Sequence, residues 1–260
     1  MASTSKIRTK IRIDQLMVQN NLIPSRERAR ALILAGRVLV NEQKVDKPGT
    51  PVAADSTLRI IGDQQRYVSR GGVKLEAALV HWIIPTEARA CLDIGTSTGG
   101  FTDCLLQHGA AHVACVDTGF GQIAMSLRND PRIRLHERTN ARLLPPASLL
   151  ASNHSEPSLT LLVMDVSFIS ATLVLPPVLA AAPTLTEAVI LVKPQFEVGR
   201  ERVGKGGIVR DPEAHQHAIQ RVWDCIDALG ATNIASIESP ITGVEGNREF
   251  LLHACFPSHR

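Results

Sequence analysis

The 260-residue chain predicts a doubly wound α/β domain preceded by a small α+β module. Three observations predict it. Apolar runs alternate with segments of helical character through the last two thirds of the chain, and a Gly/Ser/Thr loop follows the first of those runs. Residues 1–75 hold 14 Lys/Arg against 6 Asp/Glu, a net of +8, whereas residues 76–260 hold 14 against 19, a net of −5. Apolar strands alternating with helices build a mostly parallel sheet covered on both faces. A basic front end on an acidic body gives the first module a polyanion as its expected partner.

The front module is read as two helices and paired strands. In "IRIDQLMVQNNL", residues 11–22, Ile13, Leu16, Met17 and Leu22 recur near helical spacing, and Pro24-Ser25 supplies a stop and a new N-cap. Ser25 opens "SRERARALILAG", whose Ala29, Leu32, Ile33 and Ala35 form an apolar stripe closed by Gly36. Arg26, Arg28 and Arg30 occupy the other side of that helix, a phosphate-positioning face that gives affinity rather than base specificity. "RVLVN", a polar turn at Glu42-Gln43-Lys44 and "TLRII" complete the unit. On "SRERARALILAGRVLVNEQKV" the module resembles the S4 domain, the RNA-binding unit first known from a small-subunit ribosomal protein, over roughly residues 11–61.

The polar stretch "IGDQQRYVSRGG" separates this module from the rest, so the expected organisation is a domain over 1–62, a linker over 63–72 and a second domain over 73–260. Strands follow at "ACLDIG", "HVACVDTG", "IRLHERT", "LTLLVMD" and "AVILVK", with helices such as "GFTDCLLQHG" and "GQIAMSLRND" between them. The last two runs, "TNIASIES" and "REFLLHACF", are joined only by "PITGVEGN" and are expected to pair as an antiparallel hairpin.

Composition excludes several functions. Aromatics make up 3% of residues, too few for rows of stacking rings. The five cysteines (Cys91, Cys104, Cys115, Cys225, Cys255) stand singly, without CxxC pairs or metal-ligand spacing, so they read as reduced core residues of a cytosolic protein with no bound metal. "MASTSKIRTK" has no apolar core of a secretory signal. Val166 to Thr186 carries no charge, but Pro176, Pro177 and Pro183 make it two short core elements rather than a membrane span. His215 and His217, after "DPEA", read as exposed helix residues.

The loop in "CLDIGTSTGGF" follows a buried strand ending at Asp93 and opens a helix. Such a unit places a ligand at the helix N-terminus, beside the carboxyl ends of the strands. Its glycines stand at Gly95, Gly99 and Gly100 rather than in GxGxxG, so the dinucleotide fingerprint is absent. Asp93 would repel a pyrophosphate and suits a cofactor bearing an ammonium group. The combination resembles the first motif of S-adenosylmethionine-dependent methyltransferases, a Rossmann-like class I fold. That resemblance implies cofactor contacts from Asp93, Gly95, Ser97, Gly99, Gly100 and Phe101, from Asp117 at the end of the second strand to a ribose diol, and from Asn140 to the adenine.

The fourth strand ends in "DVSF", Asp165 to Phe168, without the Asn/Asp-Pro-Pro-aromatic tetrad common to amine methylation, so the acceptor is expected to be an alcohol. A protonated alcohol is a poor nucleophile and needs a basic or cationic group beside it. Lys193 ends the next strand, where it shares a crevice with Asp165. Lys74 and Glu249 complete a constellation that matches the Lys-Asp-Lys-Glu tetrad of FtsJ-like ribosomal RNA 2′-O-ribose methyltransferases. The layout resembles the TlyA (hemolysin A) family from about residue 11 to 256, on "YVSRGGVKL", "DIGTSTGGFTDCLL", "SLRNDPRIRLHERTNAR", "DVSFIS", "LVKPQFEVG" and "GNREFLL". It departs in lacking the frequent Trp at "QRYVS" and in ending soon after its last strand, without an extension that some members carry when they methylate both ribosomal subunits. The resemblance implies methylation of cytidine 2′-hydroxyls in 23S ribosomal RNA, with 16S RNA a further candidate, in the cytoplasm.

Two roles for Lys193 stay open on sequence alone. As a neutral base at pH 7 it would need a pKa near 7 in place of the ordinary lysine value of about 10.4, at a cost of roughly 4 kcal/mol. Burial beside Lys74 favours that loss and Asp165 opposes it. As a charged group it would face the developing alkoxide, with Asp165 and Glu249 orienting the two lysines. Arg70, together with Arg200, Arg202 and Lys205 of the basic, glycine-rich "EVGRERVGKGGIV", is expected to contact RNA backbone. The rivals are an RNA-binding or ribosome-assembly protein without catalysis, which leaves the tetrad without use, and a cytolysin, which needs a membrane-active element that the chain does not show. Oligomeric state has no signal in the sequence.

Overall fold

In the computed structural model residues 10–23, 25–61, 66–149 and 157–257 are described, so "MASTSKIRT", Pro24 and the start of the expected linker lie outside the described residues. The chain divides into two compact units, residues 1–64 and 65–260.

The front unit opens with β1 (Lys10–Arg12), which pairs with β4 (Pro51–Ala53) and so takes Ile11 opposite Val52. The helix expected from residue 11 therefore begins only at Ile13, as α1 (Ile13–Gln19). Ser25 caps α2 (Arg26–Leu34) by accepting from the Arg28 N–H at 3.3 Å, and Gly36 ends it at φ +64°. β2 (Val38–Val40) then turns tightly into β3 (Gln43–Val45), with Val40 opposite Gln43. The turn is thus Asn41-Glu42, one or two residues earlier than expected, and both residues adopt positive φ as a two-residue hairpin turn requires. The Asn41 Oδ1 accepts from the Thr57 N–H at 3.0 Å, and Glu42 pairs with Arg59 on β5 (Leu58–Ile60), which completes the three-stranded sheet. Ile13, Leu16, Met17, Ala29, Ile33 and Val38 form the core.

The second unit begins with an ordered strap. Residues 66–70, read as linker, run against α4 (Gly100–Gln107): Tyr67 is buried, the Val68 N–H donates to Asp103 Oδ2 at 2.7 Å, and Gln107 donates to the Arg66 carbonyl at 3.0 Å. α3 (Gly71–His81) follows, and β6 (Ala90–Ile94) forms the centre of a seven-stranded sheet. On one side of β6 lie β7 (His112–Val116) and β8 (Ile133–His136), joined through α5 (Met125–Arg128). On the other lie β9 (Leu159–Met164) and, across α6 (Leu175–Ala181), β10 (Glu187–Val192). These five strands are parallel. After α7 (Pro194–Glu197) and α8 (Pro212–Ala228), β11 (Thr232–Glu238) and β12 (Phe250–Cys255) pair antiparallel, as the short connection predicted, and β12 also pairs antiparallel with β10.

Side-chain alternation covers both faces. Leu92, Ile94, Leu162, Met164 and Ile190 pack under α6 and α8, while Cys91, Val113, Cys115, Val163 and Leu191 pack under α3 and α4. The uncharged 166–186 segment forms a 3-10 turn and α6, with Leu175, Val178 and Ala181 buried, and no helix among the described residues is long and apolar enough to cross a membrane. All five cysteines are free, and burial pushes the thiols of Cys91, Cys104 and Cys115 up to about 12. His215 departs from expectation. It lies on the inner side of α8, 3% exposed, with Nε2 2.9 Å from the Val209 carbonyl, because the helix turns residues 214, 215, 218 and 219 together toward the core.

The front unit hinges on Asp14, which is fully buried and takes Arg12 and Arg26 at 3.0 Å each. The Arg12 hydrogen bond lowers its carboxyl to about 2 against the opposing effect of burial, and Arg26 adds to the lowering. An acid lowered by folding stabilises fully above its unfolded value of about 3.9 and loses that contribution as pH falls through about 2. Asp14→Asn is expected to destabilise the front unit at pH 7 by about 1–2 kcal/mol. The difference from wild type should shrink as pH falls from about 4 toward 2, read by hydrogen exchange of residues 10–61.

Candidate active site

Strand order reverses at β6, whose neighbours β7 and β9 lead the chain in opposite directions. In an open parallel sheet the crevice beyond the strand ends at such a point is the expected ligand site. Here a cavity of about 770 Å³ opens there.

The loop after β6 forms one wall. Gly95 adopts φ +85°, and a Cβ on it would run into the Asp165 carbonyl, so only glycine lets β6 and β9 end side by side. Gly100 is comparably tight, since a Cβ there would meet Ser69 of the strap. Gly95, Ser97, Gly100 and Phe101 line the cavity. Gly99 caps α4 at φ +95° and faces Ile123 and Leu127 rather than the cavity. Asp117 follows β7 and lines a smaller neighbouring cleft that shares Thr96 and Ser97 with the large one. Its carboxylate accepts from the Ser97 N–H at 2.8 Å and the Gly119 N–H at 2.6 Å, which aims it across the loop. Asn140 is exposed, caps a 3-10 turn by accepting from the Arg142 N–H at 3.0 Å, and lines neither cleft.

Asp93 lies beneath the loop, fully buried, and lines neither cleft. Its Oδ2 accepts from the Thr102 hydroxyl at 2.5 Å, and its Oδ1 has no hydrogen-bond partner among the described residues. Burial pushes its carboxyl up to about 7 against the lowering effect of the Thr102 bond.

The four tetrad residues arrive from four elements. Lys74 comes from the first turns of α3, Asp165 from the end of β9, Lys193 from the end of β10, and Glu249 from just before β12. All four line the cavity. They form two lysine–carboxylate pairs: Lys74 Nζ donates to Glu249 Oε2, and Lys193 Nζ lies 2.6 Å from Asp165 Oδ1 and donates to Ser167 Oγ at 2.7 Å. Lys74 and Glu249 are 7% and 3% exposed, a depth at which an ion pair persists only with its partner in place.

Of the expected RNA contacts, Arg70 lines the cavity from the N-cap of α3. Arg200, Arg202 and Lys205 are exposed on two 3-10 turns, and Val203 and Gly207 of the same loop reach the cavity wall. Arg26 and Arg30 are exposed on α2 and Arg28 is half-buried, with Arg26 also tied to Asp14.

Several residues in and behind the wall escaped the sequence reading. Asn247, 1% exposed, donates to the Gly207 carbonyl and accepts from the Val209 N–H, both at 2.9 Å, and so ties the basic loop to the approach to Glu249. Glu197, 2% exposed, accepts from Ser170 Oγ at 2.5 Å and the Ala171 N–H at 2.7 Å, which joins the segment after Lys193 to the segment after Asp165. Burial raises the Glu197 carboxyl while both bonds lower it. Phe168 is 93% exposed at φ +65°, and its ring stands 5.4 Å from that of Phe196 at the cavity wall. "DVSF" and "KPQF" contained that signal, because an aromatic beside each tetrad residue is unusual in so aromatic-poor a chain. At the opposite end of the sheet Glu187, His253 and Cys255 come together from distant positions, but Arg89 already holds Glu187 at 2.5 Å and would have to yield to any cation.

Comparison with known proteins settles the family. The FtsJ-like methyltransferase model matches residues 67–256, and the S4 domain model matches residues 11–58. The chain belongs to the FtsJ-like methyltransferases, in their TlyA (hemolysin A) branch. It is 43% identical to the 16S/23S rRNA (cytidine-2′-O)-methyltransferase TlyA of Mycobacterium tuberculosis over 93% of this chain and 88% of that protein. Hemolysin A of Brachyspira hyodysenteriae is 40% identical over 94% and 99%, respectively. A solved Streptococcus thermophilus structure carrying the hemolysin name is 39% identical, covers 96% of this chain and 90% of its own, and superposes with a TM-score of 0.69. The methyltransferase fold implies a methyl donor of the S-adenosylmethionine type.

Asp93 yields a pH-dependent expectation for this TlyA relative. An acid raised by folding penalises the native state increasingly as pH climbs from its unfolded value of about 3.9 to about 7, and fully above that. Asp93→Asn is therefore expected to be more stable than wild type at pH 8, on the order of 2 kcal/mol, with the gap closing toward pH 4, as read by thermal unfolding.

Proposed function

We propose that the chain transfers a methyl group from S-adenosylmethionine to the 2′-hydroxyl of a cytidine in ribosomal RNA, 23S or 16S, in the cytoplasm. The observation that carries this reading is the convergence of two lysine–carboxylate pairs on one cavity beside the glycine loop. The named activity of the Mycobacterium tuberculosis relative supports it.

The residues present suit the methyl donor. The cavity has the volume of a small-molecule site, and the loop closes a strand end without the phosphate-cradling GxGxxG. Bound there, S-adenosylmethionine would supply a methyl group made electrophilic by its sulfonium. Gly95, Ser97, Gly100 and Phe101 would hold it along the loop, and Asp117, already aimed by two backbone N–H groups, would accept from its ribose diol. Asp93 acts as a carboxyl beneath the loop, Gly99 as the αL cap that opens α4, and Asn140 as the cap of its turn.

Lys193 addresses the acceptor oxygen as an ammonium. Its near partners are a carboxylate and a hydroxyl, and the second cation of the tetrad, Lys74, is engaged by Glu249. A fixed positive charge at the forming alkoxide is worth most where water is excluded. Asp165 and Ser167 fix its direction, and Glu249 does the same for Lys74. Phe168 and Phe196 offer an apolar platform for the base, whose strained φ at Phe168 is the kind of cost retained at a working site. The S4 module of residues 1–62, through Arg26, Arg28 and Arg30, the 63–72 linker, through Arg70, and the second domain of residues 73–260, through Arg200, Arg202 and Lys205, hold the RNA backbone.

Lys193→Ala is expected to slow single-turnover methylation of ribosomal RNA roughly 100- to 1000-fold while leaving S-adenosylmethionine binding within a few-fold in calorimetry. Arg200→Ala with Arg202→Ala and Lys205→Ala is expected to weaken RNA binding and to flatten the salt dependence of log K by roughly 2 to 3. The activity itself is tested by primer extension at low dNTP on ribosomal RNA from a deletion strain. One ribose-methylation stop should vanish and return with the wild-type chain but not with the Lys193 variant; an unchanged pattern would leave the binding-only reading standing.

A further inference from the structure

Gln195 stands two residues beyond Lys193, in α7, and lines the same cavity. Its Oε1 is buried and has no hydrogen-bond partner among the described residues. Buried acceptors are nearly always satisfied, so an unsatisfied one in a working cavity points to a donor that arrives with a ligand.

The fold does not need an amide at this position. The turn is held by backbone bonds from Phe196 to Lys193 at 2.9 Å and from Val198 to Pro194 at 3.0 Å. Glu197 anchors it to Ser170 and Ala171, and Arg221 donates to the Glu197 carbonyl at 2.7 Å. Gln195 is therefore carried on a support fixed from several sides. Two residues before it stands a lysine suited to a ribose oxygen, and directly after it a ring of the Phe168–Phe196 pair suited to a base face. A nucleotide that occupies both presents the edge of its base within the same wall.

We infer that Gln195 recognises the Watson–Crick edge of the target base, its carbonyl accepting from an exocyclic amine and its amide donating to the adjacent ring nitrogen. The inference rests on the methyltransferase reading and adds a specificity-determining residue to it. Cytosine offers that amine and acceptor side by side. Uracil offers the reverse order, which a primary amide can meet only by turning over and bringing its NH₂ to the site where Oε1 is buried.

The test is a cycle of two substitutions, one in the protein and one in the base. Single-turnover methylation is measured for wild type and Gln195→Leu on a ribosomal RNA fragment with the target cytidine, and on the same fragment carrying a 2-pyrimidinone ribonucleotide there. That nucleotide is cytidine without its exocyclic amine, and it keeps the 2′-hydroxyl. Gln195→Leu should lower kcat/KM roughly 10- to 100-fold on cytidine and no more than about threefold on 2-pyrimidinone, with S-adenosylmethionine affinity unchanged. Equal losses on both fragments, no loss on cytidine, or a parallel loss of S-adenosylmethionine binding would overturn the assignment. Gln195→Glu supplies an independent arm, because a carboxylate only accepts. It loses the bond donated to the cytosine ring nitrogen and can accept from the uracil ring N–H, so it should lower the preference for cytidine over uridine by about tenfold, and an unchanged preference counts against the inference. A wild-type chain that left the cytidine fragment unmethylated would instead overturn the methyltransferase reading on which this rests.

Discussion

The close approach of β6 and β9 at their carboxyl ends is the constraint on which the site depends. The Asp165 N–H donates to the Ile94 carbonyl at 2.9 Å, and the missing side chain at Gly95 lets the next residue pass directly against the Asp165 carbonyl. Two consequences follow from that contact. The glycine loop and the first tetrad carboxylate become walls of one cavity, and β10, in register beside β9, sets Lys193 within reach of Asp165. A side chain at position 95 would separate the strand ends and undo both.

Around this contact the protein buries charge in matched sets. Lys74 meets Glu249, Lys193 meets Asp165, and Glu197 meets a hydroxyl and a backbone N–H. Removing charges from water is expensive, and each set endures only where the geometry returns most of that cost. The same economy explains rigidity. A lysine tied to a carboxylate and a serine samples few directions, so the loops that follow β9 and β10 present fixed groups instead of mobile ones. Asp93 is the exception, a buried acid with one oxygen satisfied, and burial favours its neutral form.

Much of this was legible in the residues. Continuous apolar runs gave the parallel strands, the short "PITGVEGN" link gave the antiparallel hairpin, and the tetrad could be placed through Asp165 and Lys193 at strand ends and the family resemblance for Lys74 and Glu249. Local pairing was harder to read. Lys10–Arg12 looks like the start of a helix until Val52 arrives as its partner, and the Asn41-Glu42 turn has no glycine to announce it. His215 looked exposed because its neighbours are polar, yet the Val209 carbonyl and the Phe250 ring wait for it from another element.

By itself, then, the sequence determined the fold class and the family, and pointed to four tetrad candidates and a glycine loop, because apolar runs, motif residues and glycine spacing are local properties of the chain. Only the tertiary structure decided which lysine takes which carboxylate, that Asp93 lies under the loop and not on the cavity wall, and that Glu197 and Asn247 brace the loops around it. It alone shows that the Gln195 carbonyl is buried without a partner among the described residues. These are matters of distance between residues far apart in the chain, and burial and pairing have no value until the fold closes.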